Sequence, residues 1–148
     1  MIHLTRSDYE AMTAYAREQL PNECCGLLAG KRSGGDAFVE KVYYLNNTDA
    51  SPEHFSMDPA EQFAVMRDIR QRNLALIGNF HSHPATPSRP SDEDKRLAFD
   101  PSLRYLILSL AESGPVLCSF RIRGGEAIAE PLHIEEEESH WQMQISRN

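Results

Sequence analysis

The sequence is poor in the features that would place it in a membrane, in an oxidising compartment or on nucleic acid. Over its 148 residues no apolar stretch reaches the roughly 20 residues a membrane-spanning helix needs. The opening residues, MIHLTRSDYE, contain no apolar core of a signal peptide, so a cytoplasmic location is expected. Cysteine is scarce: there are 3, and two of them, Cys24 and Cys25, are adjacent. An odd number with that spacing excludes a disulfide framework, and Cys118 completes a set of reduced thiols. Positive charge is also in deficit. A net charge of -7 leaves no basic face for phosphates, so no nucleic-acid partner is expected. Repeats, low-complexity linkers and internal domain boundaries are absent. What remains is the composition of a single globular domain, 41% hydrophobic and 25% charged. It spans residues 1–134, and an acidic C-terminal tail follows at 135–148.

The order of elements follows from periodicity and punctuation. Ser7 to Gln19 reads as a helix, with Ser7 and Glu10 placed for a capping box and Tyr9, Met12 and Ala16 on its apolar face. Cys24 to Ala29 and Phe38 to Leu45 read as a hairpin around the turn KRSGGD. The stretch NNTDASPEHFSM reads as an irregular loop. Asp58 and Pro59 open a second helix, with Glu61 at the box position and Phe63, Met66 and either Ile69 or Arg70 on its inner stripe. Leu74 to His83 reads as a central strand buried on both faces. Ser91 to Ala98 reads as a short helix, and Leu103–Leu110, Val116–Arg123 and Ala127–Ile134 as strands. This order predicts an α/β (α+β) domain: a mixed β-sheet with flanking helices.

The chemistry concentrates where the central strand ends, in FHSHPATPSRPSDED. His81 and His83 stand two residues apart on a strand and therefore face the same way. Asp94 lies eleven residues beyond His83, after a loop with three prolines that can fold back toward the pair. Two imidazoles and a carboxylate suit zinc and leave a fourth position open, as a catalytic zinc site requires. A hydrolase then needs a general base and an oxyanion donor. Glu23, just ahead of a strand in the same sheet, is the candidate base. Ser91, three residues before Asp94, is the candidate donor.

These residues carry a resemblance. His81-Ser82-His83-Pro84, a seven-residue span from Pro84 to Pro90, and Ser91-x-x-Asp94 resemble the JAMM motif of MPN-domain metalloproteases. Glu23 in PNECCGLLAG stands where that family carries its upstream glutamate. A shuffled chain of this composition would hold the His-x-His-x7-Ser-x-x-Asp pattern with a probability on the order of one in a thousand. The likeness extends from about Leu4 to about Arg123 and is nearest to the short, single-domain prokaryotic members. It implies the MPN/JAMM architecture, which is cytidine-deaminase-like. It implies Zn2+ held by His81, His83 and Asp94, Glu23 as general acid/base and Ser91 steadying the oxyanion. It also implies hydrolysis of a peptide or isopeptide bond after the C-terminal Gly-Gly of a ubiquitin-like protein. Short relatives act on sulfur-carrier proteins, releasing cysteine from the carrier or trimming it to expose Gly-Gly.

Plainer readings compete at each position. Ser-x-x-Asp is also a helix N-cap pattern, and capping and catalysis can coexist at Ser91. Glu23 could be a surface carboxylate after Pro21. Cys24, Cys25 and Cys118 read as small core hydrophobes. His3, His54, His133 and His140 have no partner at ligand spacing and read as surface residues, and Glu135 to Glu138 as a solvated run. At the level of function, the alternative is a catalytically silent MPN scaffold, against which the complete motif argues. A zinc deaminase would need H-x-E followed by P-C-x-x-C, a signature this chain lacks.

Overall fold

The computed structural model describes residues 1–136. The tail residues 137–148, with Glu137, Glu138 and His140, lie outside the described residues. In chain order the elements are β1 (Ile2–Thr5), α1 (Arg6–Glu18), β2 (Cys25–Ser33), β3 (Asp36–Leu45), α2 (Pro59–Gln71) and β4 (Ala75–His83). They continue with α3 (Asp92–Arg96), β5 (Arg104–Ser109), β6 (Val116–Arg123), β7 (Glu126–Glu130) and β8 (Leu132–Glu135). All strands join one mixed sheet in the order β7-β6-β5-β4-β2-β3-β1-β8. The pairs β1–β3, β1–β8 and β4–β5 are parallel, and the remaining pairs are antiparallel.

The helices cover opposite faces. On one face Met12 and Ala16 of α1 join Leu28, Ile77, Phe80, Leu106 and Leu108 in the main core. On the other, Cys25, Leu27 and Leu45 pack against Val65 of α2 and against Phe55 and Met57 of the preceding loop. β4 sits in the middle, between β2 and β5, and its last six residues include four that are buried side by side, Phe80 to His83. Close strand contact there depends on glycine. A Cβ on Gly78 would lie 1.9 Å from the Arg104 carbonyl oxygen of β5, and one on Gly26 would lie 2.3 Å from that of Tyr43. Among the described residues no helix is long and apolar enough to cross a membrane.

Several local expectations are corrected. The first helix begins one residue earlier than its expected cap: Thr5, the extended last residue of β1, accepts from the Asp8 amide at 3.1 Å, so Ser7 lies inside the helix. Asp58 does stand at the N-cap of α2, but its side chain makes no cap bond. Glu61 turns outward instead and accepts from the Asn46 amide at 3.2 Å. The inner stripe of α2 is narrower than its sequence suggests. Ile69 is buried, whereas Phe63 is 72% exposed and Met66 40%. The expected last strand is two strands, β7 and β8, broken at Pro131 and placed on opposite edges of the sheet. The sheet curls enough for its rims to approach each other at that end. Glu130 of β7 meets the Met1 amine ahead of β1 at 3.6 Å, and the buried Arg104 of β5 ties β7 to the β2–β3 turn: its Nε donates to Glu130 Oε1 at 3.1 Å, and its Nη2 donates to the Gly35 carbonyl.

Replacing Gly78 with alanine is expected to destabilise the protein by about 3 kcal/mol, because two backbones would have to separate. Denaturant unfolding reads this as a lower midpoint. A loss below about 1 kcal/mol would mean that β4 and β5 can part without cost at this position.

Candidate metal centre and active site

The site is assembled by the two partners of β4. Antiparallel pairing with β2 sets Cys25 opposite His81. The ladder continues past the strand end, with the Ser82 amide donating to the Cys24 carbonyl at 3.0 Å and the Cys24 amide to Ser82 Oγ at 2.8 Å. This register carries Glu23 up to the level of His83. Glu23 is itself clamped: its amide donates to the Ser51 carbonyl at 2.8 Å, and its carbonyl accepts from Asn47 Nδ2 at 3.1 Å. The loop from Asn46 to Met57, expected to be irregular, is therefore tied down. Asn47 Oδ1 accepts from the amides of Asp49 and Ser56, and a bridge joins Asn47 to Met57.

On the other side, β5 fixes the proline loop. The Leu110 amide donates to the His83 carbonyl at 3.1 Å, Ser109 Oγ to Thr86 and Ser88 Oγ to Ile107. The loop so held delivers α3, whose N-cap is a full capping box. Ser91 Oγ accepts from the Asp94 amide at 3.0 Å, and Asp94 Oδ2 accepts from the Ser91 amide at 2.9 Å. The capping reading of Ser91 therefore holds, and the hydroxyl proton stays available to donate elsewhere. The box leaves Asp94 Oδ2 pointing at the histidine pair.

His81 Nε2, His83 Nε2 and Asp94 Oδ2 form a triangle with sides of 3.1, 3.1 and 3.2 Å. His83 Nδ1 lies 2.9 Å from the Pro87 carbonyl. A carbonyl only accepts, so Nδ1 carries the ring proton and Nε2 presents a lone pair to the triangle. His81 Nδ1 is buried without a hydrogen-bond partner, and the ring stacks on Phe55 at 4.7 Å. With Nε2 of His83 and Oδ2 of Asp94 both acceptors 3.2 Å apart, that side of the triangle is repulsive unless a cation shares it. Ligands about 2.0–2.1 Å from a tetrahedral metal stand about 3.4 Å apart, close to the triangle's size. These residues therefore fit a divalent metal. A narrow cavity of about 50 Å3 opens on His81 and Asp94 between the apolar walls of Phe55, Leu97, Tyr105 and Ile107.

The two carboxylates occupy different environments. Burial alone would push Asp94 up, but the facing His81 and His83 rings and the Ser91 amide overcome it and hold the group well below the usual carboxylate range. Glu23 is only 5% exposed. Burial pushes its carboxyl up to about 8; His83 opposes the shift and Asp94 adds to it. A group poised near neutrality beside a metal-type cluster is what proton transfer needs.

A sequence model described as prokaryotic homologs of the JAB domain matches residues 5–123. The chain belongs to that family. Its strand and helix arrangement is the family's, as the resemblance implied. It is similar to the CysO-cysteine peptidase of Mycobacterium tuberculosis, 34% identical over 128 residues covering 86% of each chain. A desampylase of Pyrococcus furiosus is 42% identical over 72 residues, 49% of each chain. Among solved structures, a Desulfitobacterium hafniense protein superimposes with a TM-score of 0.86 at 58% identity, covering 95% of this chain and 97% of that one.

Sequence reasoning singled out the residues of this cluster but missed their supports. The Pro87 carbonyl sets the His83 tautomer, Phe55 braces His81, and Ser51 and Asn47 hold Glu23. Asn47 belongs to a residue type that bonds loop backbone, a signal that the reading of this stretch as irregular passed over. Cys25 is core: it packs with Leu27 and Leu45, and burial pushes its thiol up to about 12. His54 is at the surface as expected, and its Nδ1 pairs with Glu93 of α3.

The Glu23 shift has a sign that thermal unfolding can test. Below about 4.5 the carboxyl is protonated in both folded and unfolded chains and costs nothing. Between there and about 8 the unfolded chain ionises first, so the metal-free fold loses stability as pH rises. Metal-free Glu23→Gln should therefore melt higher than metal-free wild type at pH 8, with the gap shrinking toward pH 5. An equal gap at both pH values would show that Glu23 is not held away from water.

Proposed function

We propose that this chain is a zinc-dependent peptidase or isopeptidase. Its substrate is the bond after the C-terminal Gly-Gly of a ubiquitin-like, sulfur-carrier type protein. The observation that carries the reading is the triangle of His81 Nε2, His83 Nε2 and Asp94 Oδ2 with a buried, proton-holding Glu23 beside it. The names of the relatives, a CysO-cysteine peptidase and a desampylase, support a peptidase activity on small protein tails. The tight apolar cavity at His81 supports a substrate whose last residues have no side chains.

His81, His83 and Asp94 would hold the zinc, which lowers the pKa of a water it binds to about 7 and polarises a carbonyl. Glu23 takes a proton from the attacking water on its carboxylate oxygen and passes it to the leaving amine. Its raised pKa makes it able to hold that proton near neutral pH. Ser91 keeps its hydroxyl hydrogen free while its oxygen caps α3, and that hydrogen donates to the developing oxyanion. The capping box also fixes Asp94, so Ser91 acts both on the reacting atoms and on a ligand.

Zinc stoichiometry and cleavage of a carrier protein with a C-terminal extension test this together. His81→Ala/His83→Ala should lose the zinc held at the triangle and all turnover. Glu23→Gln should keep that zinc and lose turnover. Ser91→Ala should lower kcat by roughly 10²–10³-fold with the metal retained. Full metal loading without cleavage of any carrier would favour the scaffold reading, and a Ser91→Ala effect below about threefold would leave Ser91 a cap alone.

A further inference from the structure

The strands β1 and β8 carry a second group of ligand-type side chains, at the far edge of the sheet from β7. They run parallel with His3 opposite His133 and Thr5 opposite Glu135. Laterally paired residues, and residues two apart on a strand, share a face. His3, His133 and Glu135 therefore stand together, and one ligand atom from each lies within 4.8 Å of the others. The two histidines, expected to be lone surface residues, and Glu135, expected in a solvated run, gather because a parallel edge pair joins positions 130 residues apart in the chain.

His3 is fixed by its surroundings. Its ring stacks on Phe38 at 4.3 Å with the planes 6° apart, and it meets His133 edge-on at 5.6 Å. Its Nε2 lies 3.3 Å from Asp36 Oδ2, and Asp36 is itself anchored by the Met1 amine at 3.0 Å on Oδ1. With the ring proton on Nε2 and donated to Asp36, Nδ1 keeps a lone pair. That nitrogen is buried, has no hydrogen-bond partner, and lies 3.3 Å from Glu135 Oε1. An imidazole lone pair facing a carboxylate oxygen is repulsive unless a cation lies between them. A carboxylate on the far nitrogen of the ring is also how metal-ligating histidines are oriented.

We propose that His3, His133 and Glu135 form a second divalent-cation site of the zinc class, which clips β8 to β1. Two imidazole nitrogens and one carboxylate oxygen are a zinc donor set with a coordination position to spare. His133 and Glu135 also line an open groove of about 940 Å3, together with Phe38, Glu40, Lys31 and Arg32, so two of the three ligands are reached from solvent. The competing state places a proton, not a metal, on Nδ1, making His3 an imidazolium between Asp36 and Glu135.

The probe is Zn2+ itself, titrated into the full chain carrying His81→Ala/His83→Ala, which removes the first site. One equivalent should still bind. Adding His133→Ala, at an exposed position that the fold does not need, should abolish that binding. Asp36→Asn should weaken it about 10- to 100-fold. In the same double variant, Zn2+ should slow amide exchange across residues 132–135 at least 10-fold, and His133→Ala should cancel the slowing. The proposal is overturned if the double variant binds no zinc, which leaves the imidazolium bridge. It is equally overturned if binding survives His133→Ala unchanged. Peptidase turnover of the otherwise intact chain should not respond to His133→Ala, so failure here and failure of the peptidase reading are separable.

Discussion

β4 is held in two registers at once, and the site exists because both are satisfied. Its antiparallel pairing with β2 decides that Glu23 arrives beside His83 and not one residue off, where it would face the opposite layer. Its parallel pairing with β5 anchors the proline loop, and through that loop the capping box that aims Asp94. A slip in either ladder would dismantle the cluster while leaving most of the core intact. The glycines at 26 and 78 belong to this constraint, since each sits where two backbones approach too closely for a side chain.

The second dependence is electrostatic. Asp94 and Glu23 are two neighbouring carboxylates driven in opposite directions. Asp94 is kept ionised by two imidazoles, whereas Glu23 has protein around it and only partial compensation. Such divergence suits the two roles proposed for them, one carboxylate for a cation and one for a proton. It follows from placement on the sheet: Asp94 caps a helix at the mouth of the cluster, and Glu23 enters from a strand end roofed by the Asn46–Met57 loop.

The His81, His83, Asp94 and Ser91 cluster was legible because its information is local. Strand period two, a proline loop and a helix-start pattern are all written within fifteen residues, and Glu23 was placed by its position ahead of a strand of the same sheet and by the family resemblance. The central strands were legible for the same reason, being long apolar runs with clear turns. The failures are non-local. The four-residue strands β1 and β8 have little periodicity of their own and exist by pairing with each other and with β3. His3 looked solitary because its partners, His133 and Glu135, lie at the other end of the described chain. In α2 the apolar positions Phe63 and Met66 fit a helical stripe, yet the sheet beneath offers contact only to a narrower band through Val65 and Ile69. Periodicity states which face is apolar and cannot state how much surface is available to cover it.

The break at Pro131 has a mechanical meaning. One residue separates β7 from β8, yet seven other ladder steps lie between them across the sheet. The two rims are thus sewn together by the chain itself, and the Met1 amine ahead of β1 meets Glu130 of β7 at 3.6 Å. A sheet built this way has no loose hem. Peeling β7 from β6 pulls on β8, and freeing β8 tugs on β7, so fraying at one border is shared with the other. The borders that most sheets leave open to sticky neighbours are here made to guard each other.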